Sequence, residues 1–477
     1  MLFRQIYDPK LAQYSYLIGC QATREAIVVD PMRNVDVYLE TAEQEGLRVV
    51  AAAETHIHAD FLSGARELAE RAGVTVCVSA EGGADWQSEW LKGSAYAHRL
   101  LHNGDHFMVG NIRFDVLHTP GHTPEHVCYT VTDTPARTAL PVGLLTGDFV
   151  FVGDVGRPDL LESAAGQVGA MEPSARALYR SIEMFRTLPA AMQLWPAHGA
   201  GSACGKALGA VPMSTVGYEL TANLSIRAAT DPDSFVAYIL EGQPEPPLYF
   251  ARMKRDNRGG PAVLGKLPEP KPVTAAKLVE LQDATGVALL DTRPWDAFRR
   301  AHVPGSLFVP LTRAFNTVAG SYVPEGMPIY LVVDEARLRE AIVDLIHVGL
   351  DRVVGWATPS TFDEYARKGK PASIVEIDPA KIEAEVDGGA FLLDVRRAAE
   401  VAERGSIPGS HNIAHERLLE RLGEVPKNRR VVVHCQMGAR STYAAGLVAR
   451  MGYSVSNVAG GFEAWRKTKG STAVAKG

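Results

Sequence analysis

The chain has 477 residues, 46% of them hydrophobic and 22% charged, which excludes a disordered or collagen-like polymer and, at roughly 150 residues per domain, fits about three folded domains. Its 49 basic and 55 acidic residues leave a net charge of -6, so no global field draws it to nucleic acid or an anionic membrane, and a small-molecule ligand is expected. No run reaches the ~18 apolar residues of a bilayer span, and the start MLFRQIYDPKLAQYSYLIG carries charge where a signal peptide is apolar; a cytoplasmic enzyme with no membrane partner is the expectation.

From Tyr14 to Pro212 short apolar runs (AIVVD, RVVAAAETH, VTVCVS, IRFDVLHT, VGLLTGD, MQLWPAHG) alternate with Gly/Pro turns and helical stretches, the pattern of a layered α/β domain. Helical patterning continues to about Glu241, and Arg255 to Pro272 then gathers Gly, Pro and charge, which marks a domain boundary. Beyond it the chain repeats itself. Leu289 to Ser306 is similar to Leu392 to Ser410, and PIYLVVDE (Pro328 to Glu335) lines up with RVVVHCQM (Arg430 to Met437). In each copy a β-rich run leads through a loop into a helix, as in parallel sheets. The expected domains are residues 1–258, 273–370 and 375–470, with Lys368 to Ser373 as a hinge and Ser471 to Gly477 as a frayed tail.

The five cysteines, at 20, 77, 128, 204 and 435, are an odd and scattered set, better suited to free thiols in a reducing compartment than to disulfides. Cys77 and Cys128 lie inside strand patterns and read as core, and Cys20 ends a strand. Cys204 follows His198 closely; packing is its simpler reading and sulfur handling the sharper one.

Four separate strand ends deliver imidazoles and carboxylates: Thr55-His56-Ile57-His58-Ala59-Asp60-Phe61, His122, Asp148 and His198. Such ligands suit zinc or iron, and no cysteine is expected among them. These motifs resemble the metallo-β-lactamase superfamily over about residues 10–220, which implies an αββα sandwich. Many members carry a further histidine after the His-x-His-x-Asp run to bind a second metal; here Phe61 stands in that place, which disfavours a binuclear zinc hydrolase. Together with Gly64, Gly147-Asp148 and Gly156-Arg157-Pro158-Asp159, the run looks like the persulfide dioxygenase branch. That resemblance implies one Fe(II) per chain on His56, His122 and Asp148. His58, Asp60 and His198 would then lie around it or at an empty second site, with Asp154 in support. Two imidazoles and a carboxylate on one face of iron leave positions open for a substrate sulfur and dioxygen. The Arg157 fork would hold a carboxylate of the thiol carrier, or else pair with Asp159 or Asp154.

In the last copy, the strand-like Val431 to His434 leads into Cys435-Gln436-Met437-Gly438-Ala439-Arg440 and a helix from Ser441. Backbone N–H groups, a helix N-terminus and Arg440 would stabilise a thiolate and bind anions. Residues 375–467 resemble a rhodanese sulfurtransferase domain, in which this loop cysteine carries a persulfide. The loop is one residue shorter than in its phosphate-cleaving relatives, so a sulfur oxyanion should fit better than a phosphoester. The preceding copy, about 273–370, is rhodanese-like, and Asp334 is expected in place of the cysteine, leaving a spacer or docking surface.

Joined, the resemblances imply a non-haem iron persulfide dioxygenase and sulfurtransferase. It would oxidise glutathione, cysteine or coenzyme A persulfide with dioxygen to sulfite, and at Cys435 convert sulfite to thiosulfate in sulfide detoxification. A glyoxalase II-like zinc thioester hydrolase fused to a rhodanese, and a non-catalytic sulfur carrier or sensor, are the competing readings. A homo-oligomer is common for enzymes of this size, although no interface is legible.

Overall fold

A computed structural model describes residues 1–136, 140–164, 166–282 and 284–469, so the tail from Ser471 to Gly477 lies outside the described residues. The chain divides into two compact units, Met1–Leu267 and Pro268–Gly477.

The first unit contains two sheets. One runs in sequence order, β1 (Leu2–Asp8), β2 (Gln13–Cys20), β3 (Glu25–Val29), β4 (Arg48–Ala53), β5 (Thr75–Ser79) and β6 (His98–Leu101), antiparallel to β3 and parallel beyond. The other has β7 (His106–Val109), β8 (Ile112–His118), β9 (Val127–Asp133), β10 (Gly143–Gly147), β11 (Gln193–Pro196) and β12 (Ser214–Thr215), with only β10 and β11 parallel. The two sheets share a core, with Tyr16, Ile27 and Val29 on one side and Phe114, Tyr129 and Trp195 on the other. On the outer face of the first sheet Leu17, Val28 and Val76 pack against Tyr38 and Leu68 of the helices Asp36–Gln44 and Ala65–Ala72. On the outer face of the second, Leu144 and Leu194 meet Leu178, Ile182 and Phe235 of the helices Met171–Phe185 and Pro232–Leu240. This is the αββα sandwich. Double coverage explains the uninterrupted AIVV of β3, buried on both faces, whereas edge-proximal β8 alternates buried Ile112, Phe114 and Val116 with more exposed Arg113 and Asp115.

The helix Phe250–Gly259 extends five residues into the stretch read as a boundary, and the linker after it stays attached, since Leu264 and Gly265 donate backbone N–H bonds to Glu67. The helix has a positional task. Buried Asn257 accepts from the Ser63 N–H at 2.8 Å and donates to the His58 and Phe61 carbonyls at 2.8 and 2.7 Å, clamping the loop that carries the His-x-His-x-Asp run.

The second unit contains two sheets of the same design. Strands β13 (Lys271–Pro272), β14 (Ala288–Asp291), β15 (Leu307–Phe308), β16 (Ile329–Val332) and β17 (Val353–Ala357) are ordered β13-β17-β16-β14-β15. Strands β18 (Val375–Ile377), β19 (Phe391–Asp394), β20 (His411–Asn412), β21 (Val431–His434) and β22 (Val455–Val458) are ordered β18-β22-β21-β19-β20. Every pairing in both is parallel. The proposed hinge is tied down at Ala372, which exchanges backbone hydrogen bonds with His302.

The shared register corrects one expectation. Asp291 pairs with Val332 as Asp394 pairs with His434, so Val333, fully buried, occupies the place of Cys435, and Asp334 falls one position later at the start of a 3-10 turn. The middle copy lacks the thiol because an apolar side chain replaces it, not because a carboxylate does.

Asn257→Ala leaves one N–H and two carbonyls of the buried loop without partners. A loss of roughly 2–4 kcal/mol of stability is expected, read by urea denaturation of the full chain.

Candidate metal centre and thiol site

The ends of β4 and β10 face each other across the sandwich, and the loops after β8 and β11 join them. His56 Nε2 lies 3.9 Å and His122 Nε2 3.5 Å from Asp148 Oδ2, and the three ligand atoms lie within 4.8 Å of one another. Each ring is aimed from behind: His56 Nδ1 meets Thr55 Oγ1 at 3.0 Å, and His122 Nδ1 meets the Arg157 carbonyl at 3.1 Å. Outer partners of this kind fix the tautomer that turns Nε2 inward. Local backbone form makes the approach feasible. A Cβ at Gly156 would sit 1.7 Å from the Asp148 carbonyl oxygen, so only glycine lets this chain pass.

The electrostatics are those of a site awaiting a cation. His56 Nε2 and both Asp148 oxygens are buried without a hydrogen-bond partner, a costly arrangement for a carboxylate. Burial holds His56 and His122 well below the usual imidazole range, so both rings are neutral ligands. Burial pushes Asp148 up to about 6, with His198 opposing. Two neutral imidazoles and one carboxylate therefore fit a borderline-to-hard metal such as iron or zinc.

A second group adjoins the first. His198 Nε2 lies 3.4 Å from Asp148 Oδ1 and 3.3 Å from Asp60 Oδ2, and Asp60, His198 and Cys204 present ligand atoms within 4.8 Å of one another. Cys204 thus joins the cluster, against the expectation that no cysteine belongs there; burial and the Asp148 and Asp60 charges push its thiol well above the usual range. His58 is turned aside. Its Nε2 meets Asp30 at 3.2 Å, and although burial alone would lower its pKa, the Asp30 carboxylate lifts it to about 9. The Phe61 ring stacks at 4.4 Å on its other side.

Two further expectations are resolved here. Arg157, fully buried, forms a two-point bond with Asp159 (3.0 and 2.7 Å) and donates to the Ala203 and Pro244 carbonyls at 3.0 and 2.5 Å. Four of its five N–H donors are used in this way and its charge is met by Asp159, so it holds the Cys204 loop, the structural alternative expected of it. Asp154 supports the same loop, accepting from the N–H groups of Lys206 and Ala207 and from Ser225 Oγ. Sequence reasoning missed His126, four residues after His122: its Nε2 accepts the Asp148 N–H at 3.1 Å, and burial holds it at about 3.

In the second unit Cys435 directly follows β21, buried, with its Sγ accepting the Gly438 N–H at 3.1 Å at the head of the helix Ala439–Arg450. The helix Gly461–Lys469 closes the loop from the other side, Phe462 and Glu463 donating N–H bonds to the Cys435 and Gln436 carbonyls. Gln436 contributes backbone, because its side chain is held between Arg396 and Glu463 (3.1 and 2.6 Å), while Met437 is 75% exposed. The Arg440 charge is not offered unopposed: its guanidinium grips Glu400 at both oxygens, with Nη2 to Oε1 at 2.7 Å. Burial would lift Glu400, and Arg440 outweighs it, holding the carboxyl below its usual range. Burial also pushes the Cys77 and Cys128 thiols up to about 12, in keeping with core positions.

Residues 8–198 match the metallo-beta-lactamase superfamily, and residues 274–350 and 378–468 match the rhodanese-like domain. A crystal structure of a metallo-beta-lactamase from Staphylococcus aureus is 38% identical, covers 75% of this chain and 99% of its own, and superposes with a TM-score of 0.67. The chain belongs to the metallo-beta-lactamase superfamily. Within that superfamily it is 31% identical over 260 residues to a probable metallo-hydrolase of Burkholderia pseudomallei, covering 50% of this chain and 84% of the relative. It is 30% identical over 207 residues to a mitochondrial persulfide dioxygenase, ETHE1, of Bos taurus, covering 42% and 68%. The metallo-beta-lactamase fold thus carries the His/His/Asp cluster, and the rhodanese-like repeat carries Cys435.

Thr55→Val removes the partner of His56 Nδ1 at nearly constant volume. Metal affinity of the cluster should fall roughly 10–100-fold, measured by competition with a chromogenic chelator.

Proposed function

We propose that this chain is a persulfide dioxygenase and sulfurtransferase, with one ferrous iron on His56, His122 and Asp148 and a sulfur-carrying thiol at Cys435. The observation that carries the reading is the buried His56-Asp148 pair without hydrogen-bond partners beside His122, in a chain where Phe61 stands in place of a further histidine ligand and His58 is paired with Asp30. Relatedness to a protein named persulfide dioxygenase supports it. When bound, iron supplies the electrons that dioxygen needs to react with a closed-shell sulfur, which zinc cannot.

The protein's own part is positioning and charge. Thr55 and the Arg157 carbonyl hold the two imidazoles in one tautomer, and the fully buried Asp148 and His198 keep bulk water from the cluster. In the net reaction a thiol persulfide, dioxygen and water give the thiol and sulfite, with two protons released. Cys435 accepts a sulfane sulfur from a second persulfide, releasing its thiol, and passes that sulfur to sulfite as thiosulfate. The Gly438 N–H and the helix behind it stabilise each thiolate that forms. Carriers are glutathione, cysteine or coenzyme A, and the setting is sulfide detoxification in the cytoplasm.

Oxygen uptake by iron-loaded protein on the three persulfides tests the reading. His122→Ala should reduce uptake at least ~100-fold, since loss of an aligned group costs that order. Cys435→Ser should keep uptake, accumulate sulfite and end thiosulfate formation. Two zinc ions per chain, thioester hydrolysis and no oxygen uptake would establish the hydrolase instead.

A further inference from the structure

With Arg157 spent on Asp159, a different cation stands beside the cluster. A cavity of about 270 Å³ opens next to the His-x-His-x-Asp loop, walled by Ile57, Trp86, Lys254 and Arg258 and, on the Arg258 side, by the carboxylates Asp85 and Glu89 that pair with it. Ile57 lies between His56 and His58, and its N–H donates to Glu125 Oε1 at 2.8 Å, so one wall of the cavity is the back of the metal loop. Lys254 is 8% exposed, and its Nζ lies 4.1 Å from the centre of the Trp86 ring with no carboxylate in salt-bridge range among the described residues. Its charge reaches His122, where it opposes protonation. Arg258 pairs with Glu89 at 2.6 Å, yet its Nε is buried without an acceptor.

A buried ammonium stacked on an indole, with no carboxylate in contact, is a recognition element for an anion. Glu125 attracts Lys254 without an ion pair between them, and its Oε1 accepts the Ile57 N–H. Burial brings Lys254 down to about 8, offset only in part by Glu125, as befits a cation short of a partner. The volume is below the ~300–1,000 Å³ that encloses a whole drug-sized ligand, so it admits one end of a larger molecule.

We propose that this cavity seats the acidic head of the thiol carrier, a carboxylate or a phosphate bound by Lys254 and the Arg258 Nε–H, with Trp86 beneath it. The proposal deepens the persulfide reading and rests on it for the identity of the carrier, and it replaces the role first expected of Arg157.

The test uses the full chain and unreactive analogues without a thiol, so that it does not depend on oxygen uptake. S-methylglutathione presents carboxylates, desulfo-coenzyme A presents phosphates and 2-(methylthio)ethanol presents neither. Binding is read by calorimetry, with quenching of tryptophan fluorescence as a second signal. The expected result is that at least one anionic probe binds and the neutral probe binds at least ~10-fold more weakly, the tighter of the two naming the anion. Lys254→Met should weaken the anionic probe ~10-fold or more, while Lys254→Arg, which keeps the charge, stays within a few-fold of the parent. Equal binding of charged and neutral probes, or a loss in Lys254→Arg as complete as in Lys254→Met, overturns the proposal. If the anionic probes bind as expected but oxygen uptake fails, the cavity assignment stands and the dioxygenase reading falls.

Discussion

A buried carboxylate with nothing to satisfy it organises the N-terminal unit. Asp148 is fully buried, and both of its oxygens lack hydrogen bonds, while three imidazole rings stand around it and a fourth, His126, accepts its backbone N–H. A carboxylate set among neutral imidazoles in this way is the donor set that a borderline-to-hard cation takes. Local geometry is bent to the same end: Gly147 has φ +50°, and Gly156 passes where any Cβ would strike the Asp148 carbonyl.

The group that treats the two histidines of the run differently lies one step further out, at Asp30. This residue has φ +50°, accepts hydrogen bonds from the Thr55 N–H and Oγ1, and pairs with His58. Through Thr55 it steadies His56 as a ligand; through the ion pair it withdraws His58. One carboxylate thereby assigns opposite fates to two histidines two residues apart. No spacing rule read from the His-x-His-x-Asp run alone distinguishes them, because the discriminating group comes from another strand.

That contrast describes what the sequence carried. The sandwich was legible because each apolar run is long enough to be a strand and ends in a turn residue, and the cluster was legible because its ligands sit at those ends. Asp30, Lys254 and Asn257 were not, since each reaches the site from a strand end or a helix that has no periodic signature pointing there, whereas Cys204 was flagged by its place just past His198. Arg157 illustrates a different gap: a guanidinium next to a site motif can as well be structural, and only the neighbours Asp159, Ala203 and Pro244 decide. The Val333 correction is one of register. A one-residue offset in reading the repeat exchanged an aspartate for a buried valine, and the strand pairing Asp291–Val332 restores the frame.

The C-terminal unit separates scaffold from chemistry, because its two copies keep different parts. Both retain the same buried device: Arg293 binds Asp291, the Ala301 carbonyl and the face of Phe362, and Arg396 binds Asp394, the Gly405 carbonyl and the face of Phe462. Since the copy without a thiol preserves this set intact, the set serves the fold. What only the last copy has is the Cys435 loop and the Arg440-Glu400 pair. The middle copy is nonetheless more than a spacer, since Arg450, at the end of the helix that begins beside Cys435, donates to the Val287 carbonyl at 2.7 Å and also to that of Gly305. A Cβ at Gly446 of that helix would lie 2.9 Å from the Phe308 amide nitrogen, so helix and neighbouring strand are in close contact. The copy without a thiol therefore fixes the helix whose N-terminal Gly438 N–H reaches the Cys435 sulfur, and a helix held at its far end keeps its amide dipoles aimed at that sulfur.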